Sequence, residues 1–289
     1  MIEYNWASKS QWGFSQYVRA LILSDIHSNL EALEAVVADA QLRGGFDAIW
    51  CLGDTVGYGP DPGPCLDLLR PSVEAVPGIL AGGKTSPPGQ SNPRGEGLGR
   101  HDLRMVAGNH DHAAVGKLDV AEFNMAAAAA ARWTAGQLSP QHAGFLASLP
   151  LVITEGLFTL VHGSLRAPLW EYLLEPEAAQ GTLERLTTPF CLVGHSHIPF
   201  ICRENGGFPR FVEFVEDQVY SLGQERWIIN PGGVGQPRDH DPRPSYAIYD
   251  SQPGTVERHR VTYDIPATQQ KMRRAGLPQS LVLRLDHGV

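Results

Sequence analysis

The chain of 289 residues is expected to fold as an α/β protein, on three grounds. Short runs that are apolar from end to end alternate, in its first half, with segments of helical period, as in parallel strands joined by crossover helices. Several of those runs stop at a glycine beside Asp, Asn or His. The length and a hydrophobic content of 43% suit a globular chain that buries a large core without needing disulfides or a structural metal.

The elements follow in order. Residues 1–18 are polar and aromatic by turns without period, and are expected to form an extension outside the core. Ala20-Leu21-Ile22-Leu23 is a buried strand. Leu30, Leu33, Val36, Val37 and Ala40 recur at helical spacing until Gly44-Gly45 stops the helix. Ala48–Leu52 is a second strand and Cys65–Arg70 a short helix. Between 82 and 100, nine of nineteen residues are Gly or Pro and Leu98 is the only large apolar side chain, so a loop insertion is expected. Leu103–Ala107 returns to strand. The alanine-rich Asn124–Gln137 is a strong helix former. Ser139-Pro140 supplies an N-cap and a first-turn proline for a helix ending near Leu149. Leu151–Thr154, Phe158–Val161, Phe190–Val193, Trp227–Ile229 and Tyr246–Tyr249 are short strands, and two short helical patterns follow Ala267. The expected organisation is an extension (1–18), one domain (19–265) and a C-terminal helical tail (266–289) packed on it.

Lys and Arg number 23 against 31 Asp and Glu, a net charge of -8. That balance argues against broad binding to nucleic-acid backbones or anionic membranes, which needs a basic face. It leaves room for a phosphate-bearing substrate, because bound cations lie outside the count. Cys51, Cys65, Cys191 and Cys202 show no CxxC spacing, so neither a disulfide framework nor a Cys-rich zinc site is expected and a reducing compartment is the default. The first residues hold no apolar run of signal-peptide length, and no stretch approaches the ~18 apolar residues of a membrane span. A cytoplasmic protein is expected, with a homo-oligomer left open.

The ends of the strands carry the chemistry. After Leu23 comes Ser24-Asp25-Ile26-His27, and after Leu52 comes Gly53-Asp54. After Ala107 comes Gly108-Asn109-His110-Asp111-His112; after Val161, His162-Gly163-Ser164; after Val193, Gly194-His195-Ser196-His197. Carboxyl ends of strands in α/β sheets gather at one edge, where ligands bind. Asp25 and His27, like His195 and His197, are two apart at a strand end, so strand alternation would point each pair the same way. Carboxylate, imidazole and amide oxygen without thiolate suit borderline divalent ions: Mn²⁺, Fe, Ni²⁺ or Zn²⁺. Asp25, His27, Asp54, Asn109, His162, His195 and His197 are too many ligands for one ion. An Asp reaching two ions would complete the paired arrangement used for in-line displacement at phosphorus. A single histidine beside an apolar strand is usually a hydrogen-bonded structural residue; five such ends in one chain point to a site. His101, His142, His240, His259 and His287 fall outside the pattern and are expected at the surface.

In that order, Asp25-x-His27, Gly53-Asp54, Gly108-Asn109-His110-Asp111, His162 and Gly194-His195-x-His197 resemble the calcineurin-like metallophosphoesterase superfamily, in its compact bacterial and archaeal phosphodiesterase branch. The resemblance runs from about Ala20 to Asp250. It implies a four-layer αββα sandwich with two mixed β-sheets and two divalent metal ions at the strand ends. By similarity Asp25, His27 and His197 hold the first ion, Asn109, His162 and His195 the second, and Asp54 bridges. His110 would sit over the phosphate as charge stabiliser and proton donor, oriented by Asp111. Residues 230–238 would border the substrate pocket. The implied activity is hydrolysis of small phosphodiesters or phosphomonoesters by in-line attack of a metal-bound hydroxide. The alternatives are a dinucleoside polyphosphate or cyclic nucleotide hydrolase, or a non-catalytic scaffold such as a retromer subunit of similar fold; a retained His110 speaks against the scaffold. Arg166, Trp170, Tyr172 and Arg238 are candidate pocket residues, equally suited to ordinary loop and helix packing, with Arg166 and Arg238 as candidate substrate contacts.

Two departures bear on the substrate. The segment after Asp54 lacks the phosphate-gripping Arg of the superfamily's serine/threonine phosphatases, and Asp111 stands where they have Glu, which turns the reading away from protein dephosphorylation. Gly78-Ile-Leu-Ala-Gly-Gly83-Lys84-Thr85 matches a phosphate-loop pattern, but such a loop needs a helix starting at the Lys, and Pro87-Pro88 forbids one.

Overall fold

A computed structural model describes residues 17–70 and 101–289. The expected extension (apart from its last two residues), the 82–100 insertion and the phosphate-loop-like 78–85 lie outside the described residues. The elements are β1 (Arg19–Leu23), α1 (Leu30–Leu42), β2 (Ala48–Cys51), α2 (Pro62–Leu69), β3 (Asp102–Met105), α3 (Asn109–Ala114), α4 (Met125–Gln137), α5 (Pro140–Ser148), β4 (Val152–Glu155) and β5 (Phe158–Val161). Then come α6 (Pro176–Leu183), β6 (Phe190–Leu192), β7 (Phe200–Asn205), β8 (Phe208–Val212), β9 (Val219–Ser221), β10 (Trp227–Asn230), β11 (Ser245–Asp250), β12 (Thr255–Arg260), α7 (Ile265–Arg274) and α8 (Gln279–Leu283).

Two six-stranded sheets form, ordered β3-β2-β1-β11-β12-β9 and β4-β5-β6-β10-β7-β8. In the first, β1, β2 and β3 are parallel and β11 joins β1 antiparallel. In the second, β5, β6 and β10 are parallel and β4 and β7 flank them antiparallel. Both sheets are therefore mixed, and helices flank them in an αββα sandwich.

The wholly apolar strands explain the layering. Because successive side chains point to opposite faces, β1 divides its residues between two cores. Ala20 and Ile22, with Trp50, meet Phe158, Leu160, Phe190 and Ile229 of the other sheet. Leu21 and Leu23, with Ile49 and Cys51, pack under Leu33, Val36 and Ala40 of α1 and Leu66 of α2. On the far side Val161, Cys191 and Ile228 pack on Ala179 and Leu183 of α6. A fourth cluster joins Met272, Leu281, Val282 and Leu285 of the C-terminal segment to Tyr58 and to Ala127 and Ala130 of α4. Among the described residues no helix is long and apolar enough to cross a membrane.

Two expectations are corrected, and α3, α6, β7, β8, β9 and β12 add to the expected elements. α2 starts at Pro62, three residues before the apolar pattern, because a proline suits a first turn. The segment after Gly108 is the six-residue helix α3, buried throughout. His259 is buried, 2% exposed, its Nδ1 against a carboxylate oxygen of Asp217 at 2.7 Å, and so is no surface residue.

Candidate metal centre

The parallel strands β1, β2 and β3 lie side by side, so the segments after them reach one edge together; β5 and β6 do the same in the facing sheet. That brings Asp25, His27, Asp54, Asn109, His162, His195 and His197 into one buried cluster. The alternation argument for Asp25 and His27 does not hold in detail, because neither is in the strand. Asp25 (φ 54°), His27 (φ 48°), Asp54 (φ 50°), His195 (φ 65°) and His197 (φ 59°) all adopt the left-handed region. Such backbone costs of order 1–3 kcal/mol per residue and persists only where the surroundings hold it. Here the N–H groups of Asp25 and His27 donate to the carbonyls of Gly53 (3.1 Å) and Asp54 (2.9 Å), and those of Val234 and Gly235 donate to the carbonyls of Ser24 and Asp25 (2.9 Å each). Two glycines are required by close approach: a Cβ on Gly108 would lie 2.0 Å from Asp54 Oδ1, and one on Gly194 1.9 Å from Ser24 Oγ.

Each of the two aspartates has one oxygen fixed by the protein and the other turned inward. Asp25 Oδ2 accepts from the Ser24 hydroxyl (2.7 Å) and the His195 N–H (3.1 Å). Its Oδ1 is buried without a hydrogen-bond partner, 3.2 Å from His197 Nε2 and 3.8 Å from His27 Nε2. Asp54 Oδ1 accepts the His110 N–H (2.8 Å), while Oδ2 lies 3.3 Å from His162 Nε2 and 3.8 Å from His27 Nε2.

The imidazoles are oriented in the same manner. His27, His162 and His197 place Nδ1 against the carbonyls of Val56 (3.3 Å), Leu52 (2.8 Å) and Gln236 (2.5 Å), and His195 places Nε2 against that of Trp170 (3.2 Å). A carbonyl can only accept, so those nitrogens carry the proton, and in a neutral ring the other nitrogen aims its lone pair inward. His27 Nε2 and His197 Nε2 then stand 3.2 Å apart, and His162 Nε2 stands 3.1 Å from His195 Nδ1 and 3.2 Å from Asn109 Oδ1. Lone pairs crowded round a partnerless carboxylate oxygen are the environment a cation relieves, and the donors suit a borderline divalent ion. The donor atoms of Asp25, His27 and His197 lie within 4.8 Å of one another, as do those of Asp54, His162 and His195. A third group, Asp217, Glu257 and His259, meets the same spacing, but Asp217 is exposed and already paired with Arg43 at 3.1 Å.

Burial sets the charge states in the chain alone. It pushes His27 and His197 well below the ordinary imidazole range and His195 down to about 3. Burial also lowers His162, but the neighbouring Asp54 outweighs it and holds the imidazole at about 9. Asp54 is pushed up by burial yet held well below the carboxylate range by His162 and His110. Burial raises Asp25 to about 6, with His162 opposing.

Beside the cluster is a cavity of ≈160 Å³ lined by Asp54, Asn109, His110, His195 and His197, and by Arg238, Tyr58, Phe123, Trp170 and Tyr172 among others. The His110 ring packs against Tyr58 (4.3 Å) and Phe123 (4.8 Å); its Nδ1 has no hydrogen-bond partner, and burial pushes it down to about 4. Asp111 does not orient that ring. Its carboxylate accepts the N–H groups of Val56 (3.1 Å) and Gly108 (3.0 Å) and so ties down the turns that carry Asp54 and Asn109. Arg166 is also not where the sequence reading put it: it is paired with Glu171 and lies outside the cavity lining. Arg238 does line the cavity, its guanidinium 5.8 Å from the Tyr58 ring, with no carboxylate partner among the described residues. The sequence reading missed Tyr58 and Phe123; Gly57-Tyr58-Gly59 was the available signal for the first, and nothing marked the second.

Comparison with known proteins shows the family and the fold. Residues 18–254 match the family model of the calcineurin-like phosphoesterase superfamily domain. An uncharacterized protein of Methanocaldococcus jannaschii is 36% identical over 274 residues, 92% of this chain and 97% of its own length. A metallophosphoesterase from Sphaerobacter thermophilus, known from a crystal structure, is 41% identical with a TM-score of 0.76, covering 95% of this chain and 100% of that one. A hypothetical protein from Pyrococcus horikoshii shares the fold at 17% identity, with a TM-score of 0.69 over 94% of this chain and 98% of its own.

Proposed function

The chain belongs to the calcineurin-like phosphoesterase superfamily and is a metal-dependent phosphoesterase, and on that premise we propose that it hydrolyses small phosphodiesters and phosphomonoesters at a centre of two divalent ions. The observation that carries this reading is the carboxylate of Asp54: one oxygen is held by the His110 N–H, and the other faces His162 of one donor group and His27 of the other. In this reading Asp25, His27 and His197 hold one ion, Asn109, His162 and His195 hold the second, and Asp54 bridges. Mn²⁺, Fe, Ni²⁺ and Zn²⁺ all suit imidazole and carboxylate donors. When bound, such ions supply Lewis acidity that activates water and neutralises phosphoryl oxygens.

The remaining roles fall to groups of this chain. His110, whose ring lines the cavity with Nδ1 unpartnered, is placed to pass a proton to the oxygen that leaves phosphorus, and a phosphoryl anion beside the ring would raise it from the value of about 4 that burial sets. Arg238 binds a phosphoryl oxygen, its guanidinium in no ion pair with a carboxylate among the described residues. Tyr58 and Phe123 pack on the His110 ring and keep bulk water from it. Asp111 is a positioning residue through Gly108 and Val56. The four cysteines are buried and unpaired, which supports a reducing compartment such as the cytoplasm.

A panel of aryl monoester, aryl diester, cyclic nucleotide and dinucleoside polyphosphate tests the reading, with protein stripped of metal and reloaded with Mn²⁺, Ni²⁺ or Zn²⁺. Stripped protein should be inactive and reloaded protein should hydrolyse an aryl monoester or diester. Full metal loading with no turnover of any ester would contradict it.

A further inference from the structure

Two aromatic rings stand half-exposed at the mouth of the cavity, Trp170 at 36% and Tyr172 at 46%. Scattered exposed aromatics need no explanation, but these two share one short loop between β5 and α6, and that loop is fastened to the metal centre. The Tyr172 ring stacks on His195 at 4.1 Å and 10°, and the Trp170 carbonyl faces His195 Nε2. The Trp170 ring meets Phe123 edge-on at 5.2 Å, and Phe123 in turn meets His110 at 4.8 Å. The loop is braced by hydrogen bonds of its own. The Gly163 N–H donates to the Pro168 carbonyl at 2.6 Å, and Glu171 accepts from the Ser164 hydroxyl at 2.6 Å and from Arg166. This accounts for Arg166, which acts on the loop and not on the phosphate.

Resting on the phosphoesterase reading, we propose that Trp170 and Tyr172 form a stacking slot for a planar ring carried by the substrate, so that nucleoside esters with a single phosphoryl group are the class this pocket takes. The ring belongs on the alcohol side of the ester, because the aromatic wall that ends in Trp170 begins at His110, the group placed at the leaving oxygen. The single phosphoryl group follows from charge. Among the described residues Arg238 is the only Lys or Arg in the lining, and Glu122 lies in the same wall, so beyond the ions these side chains offer little charge for a polyphosphate chain. Flat rings each offer a π-face, and stacking of a base on an aromatic side chain is worth about 1–3 kcal/mol, or about 5- to 150-fold.

The test compares adenosine 5′-monophosphate with ribose 5-phosphate on reloaded enzyme. Both esters release a primary C5 alcohol, so the base is the difference that matters. Wild type should favour the nucleotide in kcat/KM by about tenfold or more. Trp170→Leu should collapse that ratio, chiefly through KM, whereas Trp170→Phe, which keeps a ring, should retain most of it. Independently of turnover, adenosine should quench tryptophan fluorescence saturably in wild type and not in Trp170→Leu. An unchanged ratio in Trp170→Leu, or hydrolysis of ribose 5-phosphate with no base preference and no quenching, would overturn the slot. Quenching that depends on Trp170 while no monoester, diester or cyclic nucleotide is hydrolysed by the loaded protein would support the slot and overturn the hydrolytic reading beneath it.

Discussion

Gly194→Ala is a one-carbon change whose cost follows from the geometry. The new Cβ would lie 1.9 Å from Ser24 Oγ and 3.0 Å from Ser24 Cβ, so the hydroxyl must leave its place. Ser24 then no longer donates to Asp25 Oδ2, a 2.7 Å bond to a buried carboxylate. Overpacking costs about 1–3 kcal/mol, and a lost hydrogen bond to a charged group about 1.5–3 kcal/mol, together about 2.5–6 kcal/mol. At roughly 2–4 °C per kcal/mol for a chain of this size, the melting temperature should fall by about 5–24 °C. Ser24→Ala alone loses only the hydrogen bond. In the double variant Ser24→Ala/Gly194→Ala the atom that blocks the new methyl is gone, so the pair should cost at least about 2 kcal/mol less than the sum of the singles. Urea unfolding of the four proteins with metals removed measures this. A Gly194→Ala protein within about 1 °C of wild type, or additive costs in the double variant, would refute the argument.

Other outcomes follow from the site. His110→Asn leaves the backbone N–H on Asp54 in place, so metal content should hold, while hydrolysis of alkyl or nucleoside esters falls about 10²–10⁴-fold and that of a nitrophenyl ester, whose anion leaves readily, falls far less; equal losses would remove His110 as proton donor. Arg238→Gln should lower kcat/KM by about tenfold or more through a lost charge-assisted contact, whereas Arg166→Gln should lower it less; a reversed order would return Arg166 to the phosphate. His162 in the chain alone is held at about 9 by Asp54 against the effect of burial, so it is protonated at pH 7 and must lose that proton to become a ligand. Loading should therefore release about one proton per chain at pH 7 from this group, with affinity rising up to about tenfold per pH unit until near pH 9; calorimetry in buffers of different ionisation enthalpy reads it, and loading without proton release would contradict the assignment.

The parts of the site visible in the sequence are those whose residue type the chemistry restricts. An Asp, Asn or His directly after an apolar strand stands out because such strands otherwise end in turns, and five coincidences marked the edge where β1, β2, β3, β5 and β6 deliver them. What could not be read is how the backbone gets there. Asp25, His27, Asp54, His195 and His197 are left-handed, Asp25 and His27 held by the carbonyls of Gly53 and Asp54 and His195 by the Asp25 carboxylate, and a side-chain pattern carries no trace of this. Asp111 looked like a partner for His110 because the two are adjacent, whereas the α3 turn points its carboxylate back at Gly108. Arg166 and Arg238 are equal as letters; a carboxylate five residues on decides that Arg166 is spent on Glu171. Strand β12 escaped notice because its Thr-Val-Glu-Arg-His-Arg pattern is polar, and its charges are absorbed by contacts such as Arg258 with the Phe214 carbonyl and His259 with Asp217.

The central claim is that Asp54 joins two donor groups into one two-ion centre, and anomalous scattering from crystals of reloaded protein tests it most directly. Wild type should show two peaks per chain, one among Asp25, His27 and His197 and one among Asn109, His162 and His195, with an Asp54 oxygen beside both. In Asp54→Asn, where the inward carboxylate oxygen is replaced or neutralised, occupancy of both peaks should fall together. A single peak in wild type, peaks at Asp217, Glu257 and His259 instead, or an Asp54→Asn protein that keeps both ions at full occupancy would contradict the account.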